Sequence, residues 1–442
     1  MTNTNHQDAV PNSVSHAGDT VLNSPWKILI ASLIGTTIEY FDFYIFGTAA
    51  VLVFPKIFFS SSSDSIAMLQ SLATFGLAFI ARPLGSALFG HFGDRVGRKV
   101  TLVASLLTMG LSTVFIGFLP SYAAIGIIAP LLLALFRFGQ GLGLGGEWGG
   151  AILLSTENAP KGKRAWYGMF PQLGAPIGFF LSGSAFLILT TQLPEADFLD
   201  WGWRIPFVSS AVLVLVGLYV RLNIIETPEF QKVIDKNERV KMPIFTLIQK
   251  HPRALILGTL SGMGQFVLFY LITVFTLSWA TSSLGYTRQE FLVLQLVSIV
   301  FFALAIPLSA KLSDSRGRTS ALILGSLGIM ILGVFLGPLL QAGSTTVVIM
   351  LSLGMALMGM CFGPLGTLMS DLFDVEVRYT GASLAFNLAG ILGASFAPYI
   401  ATWLATNLGL QYVGYYLTVM ASISFFALIL VKTLPSTHAD QD

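Results

Sequence analysis

Charge is what this chain has least of. Only 10% of its 442 residues are Asp, Glu, Lys or Arg, against 54% hydrophobic, and the mean hydropathy is +0.76. A soluble domain carries about 25% charged residues, so this composition excludes a water-exposed globular surface. Cysteine is nearly missing: the single Cys361 rules out an internal disulfide or a thiolate metal cluster. The five histidines show no metal-ligand spacing, since His6 and His16 lie in the N-terminal tail, His91 and His251 border loops, and His438 is near the end. Neither a Walker motif nor a nucleophile elbow occurs, so nucleotide-driven or hydrolytic chemistry has no support, and neither an enzyme nor a cofactor is expected. A net charge of +2 is too small to argue for nucleic acid. The first 25 residues lack the basic start and small-residue cleavage site of a signal peptide and read as a disordered tail.

Long apolar runs are what the chain does have. A bilayer core about 30 Å thick takes about 20 apolar residues per helix. Such runs begin near Trp26, Ile66, Val100, Ala124, Tyr167 and Ile205, and again near Ala254, Phe291, Ala321, Thr346, Gly381 and Val413. They are continuous rather than alternating, which excludes a membrane β-barrel. The expected fold is an all-α membrane protein of twelve spans in two pseudo-symmetric six-helix bundles. The expected divisions are a tail at 1–25, a first bundle at 26–222, a polar linker at 223–251, a second bundle at 252–433 and a tail at 434–442.

Lys and Arg cluster in alternate loops. One set holds Arg95, Arg98 and Lys99, then Lys161, Lys163 and Arg164, then Lys311, Arg316 and Arg318, then Arg378, with seven more in and beside the linker; the other set holds only Lys56, Arg204 and Arg288. The basic loops stay in the cytoplasm, so both termini and the linker are expected there, in a bacterial-type inner membrane.

The halves also echo each other. Gly90-His91-Phe92-Gly93-Asp94-Arg95-Val96-Gly97-Arg98 returns as Ala310-Lys311-Leu312-Ser313-Asp314-Ser315-Arg316-Gly317-Arg318, with Asp94, Gly97 and Arg98 recurring 220 residues on. A weaker echo joins Arg164 and Gly168 to Arg378 and Gly381. Glycine lets such a turn reverse tightly, an Asp beside a helix N-terminus satisfies orphan N–H groups, and the arginines hold the turn at an anionic leaflet.

Gly90 to Lys99 resembles the signature loop of the major facilitator superfamily, and Asp314 to Arg318 its degenerate second copy. Four further stretches resemble that superfamily's metabolite:proton symporter branch: Ile38 to Tyr44, Ala81-Arg82-Pro83-Leu84-Gly85, Gly145-Gly146-Glu147-Trp148-Gly149, and Glu376 to Gly381. The resemblance covers Trp26 to about Leu434. It implies a secondary transporter working by alternating access, a monomeric functional unit, and a small-molecule substrate moved with protons across the lipid bilayer. Members of the branch carry organic acids such as shikimate, α-ketoglutarate and citrate, or zwitterions such as proline and betaine. Resemblance to sugar-porter relatives further implies that Glu157 and Glu226 meet Arg98 and Arg164 when the cytoplasmic side is closed.

An ionisable group at membrane depth costs about 2.5–3.5 kcal/mol and usually has a function and a partner. Five stand out: Glu39 and Asp42 in the first span, Arg82 in the second, Arg137 and Glu147 in the fourth; none sits at comparable depth in the last six. Glu39 and Asp42 are three apart, hence on one helical face, roughly 18–22 Å beyond Lys27 at 1.5 Å per residue. Two desolvated carboxylates so close resist joint ionisation, so one of them could bind and release a proton, or be held permanently by Arg82 or Arg137. Arg137, followed on its face by Gln140, can grip a carboxylate bidentately or act on Asp42. Arg82 reads as lying nearer the cytoplasmic end, as anchor or substrate contact. Tyr40 and Tyr44 would line the cavity and pack on substrate, and Glu147 would be a gate partner for the basic loops. The carrier reading expects a carboxylate-bearing metabolite; a zwitterion importer, an exchanger, an efflux carrier and a non-transporting receptor are its rivals.

Gly141-Leu142-Gly143-Leu144-Gly145-Gly146 matches G-x-G-x-x-G literally, but it lies inside a span without the strand a dinucleotide site needs. Its small-xxx-small pairs mark close helix packing instead.

Overall fold

Without water in the bilayer core, a backbone must satisfy its own polar groups, and continuous apolar runs can do so only as helices. The computed structural model describes residues 25–59, 63–96, 98–223, 243–374 and 377–434, with the side chains of 90–102 among those not described. Among the described residues there is no strand. The first half holds α1 (Pro25–Leu52), α2 (Asp64–Val96), α3 (Arg98–Gly117), α4 (Ile128–Glu157), α5 (Arg164–Gln192) and α6 (Glu195–Val220). The second holds α7 (Pro252–Ser283), α8 (Arg288–Arg316), α9 (Ser320–Gln341), α10 (Ser344–Asp371), α11 (Arg378–Asn407) and α12 (Leu410–Val431). Eleven of these are long and apolar enough to cross a membrane, and α3 adds 20 residues with an apolar stretch at Val103–Gly117. The twelve-span expectation is met.

Helix ends follow local chemistry. Pro25 opens α1, where its missing N–H is no loss. Thr287 and Glu290 form a reciprocal capping box at the start of α8, and Gly317 ends it at φ 95°, a conformation that favours glycine.

The packing repeats with an offset of six helices. In the first half α1 lies on α5, α2 on α4 and α3 on α6; in the second α7 lies on α11, α8 on α10 and α9 on α12. Two cross-half contacts complete the symmetry, α5 with α8 and α2 with α11. The glycine pairs read as packing faces do bring helices together: a Cβ on Gly141 would sit 2.2 Å from the Ala78 carbonyl of α2, and one on Gly145 would sit 2.0 Å from that of Arg82. In α5, Gly174 and Gly178 admit the backbone of α1 at Thr36–Thr37 and Phe41 in the same way.

Three five-residue π segments interrupt the helical ladder, Phe198–Gly202 in α6, Leu271–Phe275 in α7 and Ile391–Ser395 in α11. Each leaves carbonyls out of register. Gln295 of α8 donates to two of them in α7, Ile272 at 2.9 Å and Thr273 at 2.8 Å.

Candidate functional site

Successive spans run in opposite directions, so the start of α1, the turn between α2 and α3, and the α4–α5, α8–α9 and α10–α11 turns share one face of the bundle, here the N-face. The site lies between the halves at mid-depth. Phe43, Phe46, Phe75 and Phe79 on α1 and α2 form an aromatic box holding both buried guanidiniums. Arg137 stands over Phe43 at 4.2 Å, Phe46 at 4.1 Å and Phe75 at 4.9 Å; Arg82 stands over the Phe43 ring at 4.7 Å and Phe79 at 4.9 Å. Ring faces attract a cation by about 2 kcal/mol or more where water is excluded, which offsets much of the cost of burial. Tyr270 reaches in from α7, edge-on to Phe79 and tilted against Phe75, both at 5.4 Å, with its phenol within electrostatic reach of both guanidiniums. Tyr40 and Tyr44 stack at 5.6 Å and face the second half through Phe362 and Phe269.

The Arg82 guanidinium, over Phe43 and Phe79, lies nearer the N-face than that of Arg137, over Phe46 and Phe75. The Arg82 Nε has no hydrogen-bond partner. Arg137 is fully buried. Its Nε donates to the Phe75 carbonyl at 3.2 Å and its Nη1 to Gln140 at 3.0 Å, and only Nη2 is left without a partner.

The expected facing of Asp42 and Arg137 is not what the structure shows. Asp42, 1% exposed, turns to α6 and α3, where Ser210 donates to Oδ1 and the Thr113 hydroxyl lies beside the carboxylate; Oδ2 has no hydrogen-bond partner. No ion pair joins it to Arg137. Gln140 stands between them, accepting from Arg137 and donating to Thr113 at 2.8 Å. Both ends of that amide are engaged inside the first half, so Gln140 ties Arg137 to Thr113. Glu39 is buried one turn from Asp42.

Glu147 lies further along α4. The helix breaks after Leu144, with Gly145 and Gly146 in a turn before it resumes at Glu147, and the break turns Glu147 inward. It is 4% exposed and accepts from Ser105 of α3 at 2.7 Å. Its neighbour Trp148 stacks on Phe386 of α11 at 3.6 Å and donates to Gln172, whose amide donates in turn to the Phe362 carbonyl of α10.

On the N-face, Arg164 pairs with Asp371 of α10 at 3.1 Å. Glu157 lies within electrostatic reach of Arg378, whose Nε donates to the Phe373 carbonyl. Asp371 could have been found from the sequence: the 214-residue offset that carries Arg164 onto Arg378 carries Glu157 onto Asp371. Arg318 donates to the Asp371 carbonyl at 3.4 Å. Asp314 does cap a helix, but across the interface: its two oxygens accept the first-turn N–H groups of α5 at Ala165, 2.9 Å, and Trp166, 3.0 Å. Tyr379 donates to the Gly146 carbonyl, and Asn387 to Ser86 at 3.0 Å. Glu226 and the side chains at Gly90, Asp94, Gly97 and Arg98 lie outside the described residues.

The opposite face is joined too. Glu195 accepts from Lys56 at 3.0 Å and from Arg288 of the second half at 2.8 Å, and Gln289 donates to the Thr190 carbonyl at 2.6 Å. Both ends being bridged, the structure is occluded.

Paired half-bundles closing at either face around buried charge are the architecture of a secondary carrier. A family model described as Major Facilitator Superfamily matches residues 32–394, and the chain belongs to that superfamily. It is 55% identical over 417 residues to the inner membrane metabolite transport protein YhjE of Escherichia coli K12, covering 93% of this chain and 95% of that one. It is 35% identical to the shikimate transporter of the same organism, covering 94% and 96%, and 32% identical to the proline/betaine transporter of Salmonella typhimurium, covering 92% and 83%. Among solved structures, the crystal structure of a D-xylose-proton symporter superposes with a TM-score of 0.72 at 20% identity, covering 93% of this chain and 98% of that one, a likeness of fold. The chain is thus a multi-pass membrane transporter of the secondary type, not an enzyme.

Proposed function

We propose that this transporter takes up a small carboxylate-bearing metabolite together with one or more protons, by alternating access. In this reading the N-face is cytoplasmic, the membrane is a bacterial-type inner membrane, and one copy is the working unit. Arg82 carries it: a guanidinium 7% exposed between the halves, held over the Phe43 and Phe79 rings with its Nε unpartnered. A buried donor left unmet is costly, and a substrate carboxylate accepting from that fork would meet it. Phenols from both halves, Tyr40 and Tyr44 on one side and Tyr270 on the other, are placed to add hydroxyl donors.

Asp42 is the proposed proton carrier, with Glu39 as its neighbour. The carboxylate lies outside the aromatic box and acts on it through Thr113, Gln140 and Arg137, so proton and substrate would be coupled through a relay and need not compete for one group. Opening to the N-face would break Arg164–Asp371, the Asp314 cap and the Trp148–Phe386 stack; opening to the other would break Arg288–Glu195.

A zwitterion importer is the second reading. The stacked Tyr40 and Tyr44 rings offer π faces to an ammonium group, and a proline/betaine transporter is among the relatives. Uptake by proteoliposomes, with competition among organic acids, proline and betaine, separates the two. Accumulation that is unchanged when the pH gradient and membrane potential are collapsed contradicts proton coupling.

A further inference from the structure

Four glutamines of the described residues are buried to 1% exposure or less: Gln140, Gln172, Gln265 and Gln295. Three of them use their amides. Gln140 bridges Arg137 and Thr113, Gln172 bridges Trp148 and the Phe362 carbonyl, and Gln295 donates to two carbonyls of the π segment in α7. Gln265, fully buried in α7, has no hydrogen-bond partner for either its nitrogen or its oxygen. Buried amides are nearly always satisfied, and one that is not calls for an explanation.

The neighbours of Gln265 show where it points. Gly258, Gly262, Gln265 and Phe269 follow one another at spacings of four, three and four, hence on one helical face. A Cβ at Gly258 would meet Leu372 and Ala385, and one at Gly262 would meet Ala389 of α11 and Met369 of α10. Phe269 packs on Tyr44 of α1, Phe179 of α5 and Phe302 of α8. Gln265 therefore projects between the inner helices of the second half and the aromatic cluster, on the side of the molecule that meets the first half.

From this placement we infer that Gln265 is the second half's hydrogen-bonding contact to substrate, and that it favours a carboxylate bearing a further hydroxyl, oxo or carboxyl oxygen over a betaine. The inference rests on the carboxylate reading above. An amide both donates and accepts, so it can serve a hydroxyl by its oxygen or a carbonyl or carboxylate by its N–H groups. A quaternary ammonium has no N–H for that oxygen, and a betaine's one carboxylate is taken by Arg82. A site built to hydrogen-bond an oxygen function rejects ligands that lack it, because its own polar group then stays unpaired. A substrate spanning Arg82 and Gln265 also ties the halves together.

The test uses the full-length protein in detergent, with shikimate, succinate and glycine betaine as probes, reading melting temperature and affinity. Wild type should bind an acid more tightly than betaine. Gln265→Leu, of similar size and without the unmet amide, should melt no lower than wild type when no probe is present, yet lose at least about tenfold in acid affinity with betaine binding unchanged. Gln265→Asn, which keeps an amide, should fall between. If the leucine variant keeps its acid affinity, or melts below wild type without probe, Gln265 is not a substrate contact, and the carboxylate reading stands. If wild type binds neither acid, or binds betaine best, the carboxylate reading falls and this inference falls with it.

Discussion

The two halves share a packing plan and divide the chemistry unequally. The first buries Glu39, Asp42, Arg82, Arg137 and Glu147 at depth. In the second, the buried charges among the described residues are Asp371 and Arg378, both at span ends, and the polar groups at depth are amides and hydroxyls such as Gln265, Gln295 and Asn387. The position 220 residues beyond Arg82 is Phe302, fully buried. The second half instead carries π segments in α7 and α11, while α1 and α5, their counterparts, run without one. Fixed charge in a low-dielectric interior must be held in place by rings and relays, which favours rigidity. A π segment leaves carbonyls to be satisfied by side chains, which favours a helix that can bend. We read the first half as the charged template and the second as the half that adapts to it.

Exchanging roles at that repeat pair is the strongest way to break the comparison. Arg82→Ala should lower uptake at least about a hundredfold, because it removes a two-pronged charged contact while leaving the rings to pack. Phe302→Ala should leave the substrate preference intact and lower the melting temperature, since emptying a buried aromatic site costs about 3–5 kcal/mol. Uptake lost in Phe302→Ala and kept in Arg82→Ala, measured in proteoliposomes, would reverse the assignment of chemistry to the first half.

Asp42 gives the next largest effect. Asp42→Asn should abolish accumulation against a gradient, with exchange across the membrane retained within about tenfold, because Arg137 keeps its bonds to Gln140 and Phe75. Ser210→Ala removes the hydroxyl on the carboxylate but not the carboxylate itself, and should shift the pH profile of uptake with a smaller loss of rate. Asp42→Asn accumulating substrate like wild type would remove this residue from coupling.

These residues were unequally visible in the sequence. Twelve spans and the duplicated turn follow from hydropathy and from Asp94 recurring as Asp314, because both are properties of contiguous residues. That Arg82 and Arg137 lie buried at membrane depth was also legible, since charge there stands out against apolar neighbours. Their partners were not. Gln140 and Asp42 share no local pattern with Thr113 and Ser210, and a hydroxyl in a membrane helix has no compositional contrast to betray it.

Asp314→Ala sharpens the comparison between the faces. It strips two N–H groups at the start of α5 of their acceptors, and lost caps cost about 0.5–2 kcal/mol. The bonds cross the halves on the N-face, so part of that cost falls on the closed conformation. Thiol labelling of single cysteines placed on the N-face side of the site, in a variant lacking Cys361, should therefore rise severalfold. Unchanged labelling with a lowered melting temperature would mean that the cap serves the fold alone.

The smallest effect belongs to the opposite face. Glu195 holds two cations, but its side chain is 60% exposed and Lys56 is 54% exposed. Water and salt screen such pairs to about 0–1 kcal/mol. Arg164 and Asp371 are 25% and 12% exposed, less screened, and backed by Arg318 on the Asp371 carbonyl. Glu195→Gln should alter uptake by no more than about twofold, and raising the salt concentration should erase the difference; Asp371→Asn should cost severalfold more and respond little to salt. If Glu195→Gln is the more damaging of the two, the occluded state is held chiefly at the face away from the chain's start, and the polarity assigned here to the gates is inverted.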